Sequence, residues 1–260
     1  MRLSALEISR LEEARAVAGL RESAAESVEI AGGIACYSGP GSWCNMAAGL
    51  GMSGPVTEHD LDRLDAFFRD HGVSGRVELS PYAHAALAPA LARRGFGLVR
   101  FENLLAAELS PDDPPAPGPL GPEGLELRLA RGGEEELFVR TAASGFMAPD
   151  QPIPEGDLAV GLRMVAHPAV LSVLALLDGA AIGAASAEVR GPICALFGAS
   201  VRPAWRGKGV HGAMLQARLT LARARGATLA TIGSMPGEPT ERTAARAGFR
   251  VVCTRAHLER

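Results

Sequence analysis

The residues best suited to chemistry lie in one loop, between a predicted strand and a predicted helix. The loop spans 202–212 and reads RPAWRGKGVHG. Its glycines let backbone N–H groups point into the mouth of the loop, and the N-terminus of the following helix adds a partial positive charge. Residues 190–237 include seven Lys or Arg residues and no Asp or Glu. The segment therefore predicts a binding site for a phosphate or pyrophosphate group.

Two elements must position this loop. A continuous apolar run at 195–201 predicts a strand that is covered on both faces. After the loop, Gly226 is placed to end a helix whose apolar residues recur with helical spacing. These apolar residues are Val210, Met214, Ala217 and Leu221. We therefore expect the loop to join a buried strand to an amphipathic helix.

The loop glycines also match a second pattern. Gly207, Gly209 and Gly212 fit the dinucleotide-binding sequence G-x-G-x-x-G. That fold holds the ribose with an acidic residue about 20 positions later, whereas the next acidic residue here is Glu238. An NADP-dependent reductase, with arginines in place of the acid, is therefore an outside alternative.

The stretch Val201-x-Pro203-x-Trp205-Arg206-Gly-Lys-Gly209-Val resembles motif A of the GCN5-related N-acetyltransferase (GNAT) family. The resemblance implies a strand that splays from its neighbour, an acyl-CoA in the gap, and a loop that wraps the pyrophosphate. The residues that it implies for acetyl-CoA binding are Ala199, Ser200, Val201, Arg206, Gly207, Lys208, Gly209, Val210, His211 and Gly212. His211 stands where the family pattern usually has glycine or alanine. We expect its imidazole to face the phosphates as a group that can become a cation.

Composition narrows the function classes. The chain has 260 residues, of which 47% are hydrophobic, so it can form one large domain or two small ones. Its net charge of -3 argues against a general nucleic-acid binder. The four cysteines lack metal-ligand spacing, so we expect reduced, buried thiols and no metal. Acidic residues interrupt the apolar N-terminal run, and we expect a soluble, cytoplasmic protein with no membrane contact.

The remaining patterns predict an α/β fold of the α+β kind, with a mixed sheet. The first half reads as helix 3–20, strands 26–37 and 43–52, helix 58–70, strand 76–79, helix 81–94 and strands within 97–109. The second half reads as strand 125–129, helices 134–143 and 157–165, strands 170–177 and 180–189, the motif A strand and helix, strand 227–232, helix 240–247 and strand 250–257. This second order is similar to the GNAT fold throughout.

Six prolines within 110–122 predict a semi-rigid spacer, because proline cannot donate backbone hydrogen bonds. The predicted division is a domain at 1–110, a linker at 111–122 and a domain at 123–260. A short repeat supports it: LARRGF at 91–96 recurs as AARAGF at 244–249, each at the end of a predicted helix. The resemblance then implies two tandem acyl-CoA N-acyltransferase (GNAT) folds. The first has MSGPVT at 52–57 where the phosphate loop belongs, so we expect it to be degenerate.

The resemblance also implies roles in catalysis. A backbone N–H near Val201 is expected to polarise the thioester carbonyl. Glu188 is the only carboxylate within 179–237 and is the candidate base, with an exposed strand-end glutamate as the alternative. The usual acid, a tyrosine near Ala244, is absent, and Ser234 is expected to supply a proton or to bind the pantetheine. Phe146, Met147 and Pro149 occupy the region that lines the acceptor pocket in the family.

The sequence therefore predicts an acetyl-CoA-dependent N-acetyltransferase that acts on a primary amine. The acceptor is a small molecule or a peptide, and the oligomeric state stays open. A non-catalytic acyl-CoA sensor or binding module is the alternative, because the usual tyrosine is missing.

Overall fold

The computed structural model describes residues 3–110, 121–148 and 151–260. Its helices are α1 (Ala5–Ser23), α2 (Glu58–Asp70), α3 (Leu87–Arg93), α4 (Glu135–Ala143), α5 (Glu155–Ala166), α6 (Val210–Ala224) and α7 (Pro239–Arg246). Its strands are β1 (Glu26–Ile30), β2 (Gly33–Tyr37), β3 (Met46–Ala48), β4 (Arg76–Leu79), β5 (Gly97–Glu108), β6 (Glu126–Leu129), β7 (Val170–Leu177), β8 (Ala180–Arg190), β9 (Ile193–Val201), β10 (Leu229–Ser234) and β11 (Arg250–Glu259).

These elements form two compact units. Unit 1 contains Met1–Ala106, Pro154–Val160 and Gly233–Arg260, and unit 2 contains Ala107–Ile153 and Gly161–Ile232. The units are not contiguous along the chain, whereas the predicted domains are. The reason is β11, which pairs with β4 and β5 of the first half. Most of the predicted linker lies outside the described residues, so the boundary at 111–122 stays a prediction.

Unit 1 is built on strands in the order β1-β2-β3-β4-β11-β5. The β3–β4 pair is parallel and the other pairs are antiparallel. Leu61, Leu64 and Phe68 of α2 are almost completely buried in its core, together with Leu91 of α3. The N-terminus of α2 has a capping box, as predicted from its sequence. Thr57 Oγ1 accepts from the Asp60 N–H, and the Asp60 carboxylate accepts from the Thr57 N–H.

Unit 2 is built on strands in the order β10-β9-β8-β7-β6. The β9–β10 pair is parallel and the others are antiparallel. β7 and β8 form the predicted hairpin, in which Asp178 and Gly179 adopt positive φ angles of 51° and 78°. Helices α4 and α6 pack on β8 and β9. The fold is therefore a mixed α+β fold with a mixed sheet, as predicted.

The predicted strand at 26–37 was wrong in one respect. It is a tight hairpin, because Ala31 and Gly32 turn the chain with φ angles of 49° and 78°. The predicted strand at 43–52 is confined to the three residues of β3, and the helix predicted from 81 begins at Leu87.

The sequence repeat corresponds to a structural repeat. Gly95 and Gly248 each follow a helix with a left-handed φ, of 85° and 89°, which favours glycine. Phe96 and Phe249 come next, and both are buried. All four cysteines are free and buried, as expected. Within the described ranges, no helix has both the length and the apolar character needed to cross a bilayer.

Candidate functional site

The centre of the candidate site is the carboxyl end of β9, where this strand separates from β10. Their parallel pairing ends at Leu196 and Ile232, although β9 continues to Val201. The N–H of Arg202, just after the end of β9, donates to Ile182 O of the neighbouring strand β8 at 2.9 Å. Because successive residues of a strand point their N–H groups to opposite sides, the N–H of Val201 faces away from β8. The strand therefore presents backbone donors on the side where β10 has left it.

A bulge in β9 lies at the same point. Ala184 pairs with Ser200, and Ser186 pairs with Phe197, so two residues of β9 oppose one residue of β8. Gly198 lies in the bulge with a φ of 59°, a conformation that favours glycine. The bulge interrupts the ladder and bends the strand just before the predicted carbonyl-binding segment.

Helix α6 begins with its N-terminus open. Gly209 is its N-cap residue with a φ of 81°, and no side-chain hydrogen bond caps the helix. The first turn contains no acidic residue. A Cβ added at Gly207 or Gly212 would meet no atom within 4 Å, so the loop surface there is open. The first N–H groups of α6 lack intrahelical partners by geometry, and a phosphate would satisfy them.

Two basic side chains of the loop, those of Arg206 and Lys208, have different partners. Arg206 Nε donates to Val201 O at 3.1 Å, and its Nη2 donates to Gly145 O at 3.3 Å. Arg206 therefore fixes the loop to the end of β9 and to the turn after α4. The ammonium group of Lys208 lies 4.4 Å from the centroid of the Trp205 ring, in a cation–π contact.

The surroundings of His211 disfavour the positive charge that the sequence analysis expected. Burial and the nearby Arg218 lower the pKa of His211 to about 4, so the imidazole is neutral near pH 7. His211 can offer a hydrogen bond at the helix N-terminus but no positive charge.

Arg218 was missed by the sequence analysis. Its side chain is fully buried, and its Nη1 donates to Ser186 O at 2.8 Å and to Phe197 O at 3.4 Å, the residues that flank the bulge. Burial lowers the pKa of Arg218 to about 10. The sequence did contain a signal for this burial, because Arg218 lies four residues after Met214 and therefore on the same face of α6. Met214 and Arg218 are both buried. Ala217 and Leu221, which the sequence analysis placed on the apolar face, are half-buried.

The two predicted catalytic residues lie on β8 and at the end of β10. Glu188 of β8 is buried, pairs with Ala195 of β9, and forms an ion pair with Arg190 at 2.6 Å. Ala195 is six residues from Val201 along β9, which corresponds to about 20 Å of strand. Ser234 lies at the end of β10 in unit 1, where its hydroxyl donates to Met235 O. The site roles of both residues stay predictions.

The predicted acceptor region follows α4. Phe146 is 69% exposed there, Met147 is half-buried, and Pro149 lies outside the described residues. Ser200 Oγ donates to Thr141 O at 3.2 Å, so the end of α4 is attached to the end of β9.

Residues 138–249 match the family model described as the acetyltransferase (GNAT) family. Residues 138–249 form a GNAT-family domain. The match spans β9, the phosphate loop and α6. No curated protein sequence is significantly similar to the chain.

Solved structures extend the likeness to both halves of the chain. A GCN5-related N-acetyltransferase from Kribbella flavida is 22% identical, with 95% of each chain covered and a TM-score of 0.68. A tandem GNAT protein from the clavulanic acid biosynthesis pathway is 14% identical, with 88% of this chain and 77% of that chain covered and a TM-score of 0.61. The predicted resemblance and the fold of two GNAT-like halves are confirmed. That the first half is degenerate stays a prediction.

Proposed function

We propose that this protein is an acetyl-CoA-dependent N-acetyltransferase that acetylates a primary amine. The observation that carries the proposal is the open N-terminus of α6, beside a strand that leaves its parallel neighbour. These two features create adjacent sets of unused backbone donors, one suited to a pyrophosphate and one to a carbonyl oxygen.

The residues present fit acetyl-CoA. The backbone of 207–212 would hold the pyrophosphate, because the N-cap glycine leaves the helix N–H groups open and the first turn has no competing carboxylate. Arg206 holds the loop in place and adds positive charge. Ala199, Ser200 and Val201 would lie along the acyl-bearing part. Acetyl-CoA, when bound, supplies an acetyl group on a thioester.

The chain's own contribution to the chemistry is electrostatic. The N–H of Val201 is the donor for the carbonyl oxygen, where negative charge develops as the amine attacks. The bulge at Gly198, with Arg218 on its flanking carbonyls, fixes the direction of this donor. A thiol with a pKa near 8.5 is a tolerable leaving group without a general acid, so transfer without the usual tyrosine is chemically reasonable.

Glu188 is the base that the sequence predicts, but its partner Ala195 lies about 20 Å of strand from Val201. Glu188 would therefore act only through a chain of waters, and its ion pair with Arg190 sets the test. Glu188→Gln is expected to lower kcat, with little change in acetyl-CoA affinity. Arg190→Gln is the matched control, since it breaks the same ion pair but keeps the carboxylate. An unchanged kcat in Glu188→Gln, with a loss of stability in both variants, would assign the pair to structure.

The alternative function is a non-catalytic acyl-CoA sensor. It is supported by the absence of any tyrosine from residues 123–260, since both tyrosines lie in the first half. Turnover separates the two functions: an enzyme releases free CoA faster when a suitable amine is present, and a sensor does not. The acceptor, whether a small molecule or a peptide, would be found by the same assay.

The first experiment is calorimetric titration of the purified protein with acetyl-CoA and, separately, with NADPH. Saturable binding of acetyl-CoA alone is the expected result, and a screen of amines for CoA release would follow. Binding of NADPH alone would overturn the proposal.

A further inference from the structure

Three side chains that can bind a metal ion meet on one face of the sheet in unit 1. They belong to Glu78 of β4, Glu102 of β5 and His257 of β11, which all lie in unit 1. His257 pairs with Glu78, and Arg255, two residues earlier on β11, pairs with Glu102. Because alternate residues of a strand share a face, this register brings all three side chains to the same side of the sheet.

The distances between these side chains suit metal ligands better than hydrogen bonds. One ligand atom of each lies within 4.8 Å of the other two. His257 Nε2 lies 3.4 Å from Glu102 Oε2 and 3.7 Å from Glu78 Oε2, whereas N–H···O hydrogen bonds are roughly 2.7–3.2 Å long. Two ligands of a tetrahedral Zn²⁺, each about 2.0–2.2 Å from the metal, lie about 3.3–3.6 Å apart. The imidazole is therefore at ligand spacing from both carboxylates.

The imidazole nitrogen at the centre of this cluster is buried and has no hydrogen-bond partner. The side chain of His257 is only 16% exposed, and within the described residues nothing accepts from or donates to its Nε2. A buried polar atom without a partner is costly. An ion between the nitrogen and the two carboxylates would provide the missing interaction.

Neighbouring residues orient both carboxylates. Arg255 Nη1 lies 2.9 Å from Glu78 Oε1, so the other oxygen of Glu78 is the one nearest His257. Metal-binding carboxylates are commonly held by such outer partners. Glu102 lies against Gly233 of β10, where an added Cβ would be 2.7 Å from Glu102 Oε1. Glycine at 233 thus leaves room for the Glu102 carboxylate.

The charges around the cluster favour a cation. Arg255 is the buried cation beside it, and Arg255 also pairs with Glu13 at 3.1 Å. Burial, opposed by Arg255, raises the pKa of Glu13 to about 7. Even with Glu13 protonated, Glu78 and Glu102 outnumber the one buried guanidinium when the imidazole is neutral, as a metal ligand must be. Arg100 also acts on Glu102, but it is exposed and its charge is screened by solvent.

We propose that Glu78, Glu102 and His257 bind a divalent transition-metal ion, with Zn²⁺ as the best fit. Zinc accepts imidazole and carboxylate ligands in a tetrahedral arrangement, and three protein ligands leave the fourth position for water. The ion would join β4, β11 and β5, and so fix the last strand of the chain between two strands of the first half. Cysteine spacing led the sequence analysis to expect no metal, but these ligands come from three distant segments.

The test is calorimetric titration of the full-length, tag-free protein with zinc chloride, after metals have been removed with EDTA and the EDTA dialysed away. Saturable one-to-one binding is expected, with a rise in Tm that EDTA reverses. Magnesium chloride is expected to have no such effect, because Mg²⁺ prefers an octahedral set of oxygen ligands.

Variants locate the site. His257→Gln and Glu102→Gln are each expected to weaken zinc binding by about 100-fold or more, because each removes a ligand. His59→Gln is the matched control, since His59 is an exposed histidine of the same unit that lies outside the cluster. The visible spectrum of Co²⁺ bound to the wild-type protein reports a tetrahedral site without any substitution, so the test holds even if a variant folds poorly.

Several results would overturn the proposal. These are a wild-type protein without saturable zinc binding, His257→Gln that binds zinc as tightly as the wild type, or a Co²⁺ spectrum of the octahedral kind. Equal weakening by His59→Gln and His257→Gln would assign zinc to surface groups. If zinc has no effect and His257→Gln lowers Tm in EDTA, His257 acts instead as a protonated partner that joins the two carboxylates by ion pairs.

Discussion

Helices α2 and α6 follow corresponding strands in the two halves of the chain, and their N-termini differ in one decisive respect. In α2 the first N–H groups are occupied by the protein itself, through the reciprocal hydrogen bonds of Thr57 and Asp60. In α6 the cap residue is Gly209, and no side chain fills its place. The first turn of α2 also carries Glu58 and Asp60, whereas that of α6 carries no acid.

The difference bears on the phosphate site that we propose at the N-terminus of α6. A helix N-terminus attracts anions whether they come from a ligand or from its own side chains. The capping box gives α2 a well-defined start and places the Asp60 carboxylate at the helix N-terminus, where it disfavours a phosphate. The glycine cap leaves α6 less well stabilised by itself and open to a ligand. We therefore expect the contrast to respond to single substitutions.

The largest effect is expected when α6 receives an acid at the position that Asp60 occupies in α2. Gly212 is the corresponding third helical residue, and an added Cβ there meets nothing within 4 Å. Gly212→Asp should raise the Kd for acetyl-CoA by about 100-fold, because the carboxylate competes for the N–H groups and repels the phosphates. Calorimetric titration measures it. Gly212→Ala is the control, and it should bind normally and raise Tm; equal losses in both variants would contradict the electrostatic account.

Arg206→Ala should weaken acetyl-CoA binding by about tenfold, because it removes a positive charge and the ties to Val201 O and Gly145 O. Arg246→Ala, an exposed arginine of α7, serves as the comparison. The Kd values from titration decide the matter, and a similar loss in the two variants would remove Arg206 from the site.

Thr57→Ala tests the capped helix, α2, in the same way. Loss of the cap should lower the free energy of unfolding by about 1 kcal/mol, as measured by denaturant titration at neutral pH. The affinity for acetyl-CoA should not change, because the first half is predicted to lack a phosphate loop. A Kd that rose with this substitution would show that the first half contributes to the acetyl-CoA site.

The smallest effect at neutral pH is expected for His211→Gln. Because the folded state keeps the pKa of His211 near 4, below its unfolded value of about 6.5, both states are neutral at pH 7 and above. As the pH falls from about 6.5 towards 4, His211 takes up a proton in the unfolded chain but not in the folded chain, so the free energy of unfolding falls. Unfolding curves over this range should show a smaller loss in His211→Gln. Identical pH dependence in the two proteins would contradict the neutral imidazole.

Local signals predicted much of this structure. The bounds of α2, β4 and β7 agree with prediction, because capping residues and turn residues act over a few positions. The hairpin of β1 and β2 was missed because its turn depends on Ala31 with a positive φ, which the residue type does not favour. The loop of unit 2 was predictable for the opposite reason, since its glycines suit the positive φ angles found at Gly207 and Gly209.

Charged residues inside the protein were harder to predict. The sequence predicted a helix at 3–20 but not that Glu12 and Glu13 would be among its buried residues. Their burial depends on Arg15 beside them and on Arg255 from the far end of the chain. Arg218 is similar, since its partners are carbonyls of β8 and β9. No local pattern contains such partners.

The sequence by itself determined most of the elements, the glycine loop at 202–212, the open cap of α6 and the repeat that ends in Gly-Phe. Each depends on φ preferences, capping groups or periodicity within about ten residues. Only the tertiary structure decided that β11 pairs with strands of the first half, that Glu188 is held by Arg190, and that Glu78, Glu102 and His257 come together. These features arise from contacts between distant segments, whose energies depend on burial and on partners that exist only once the chain has folded.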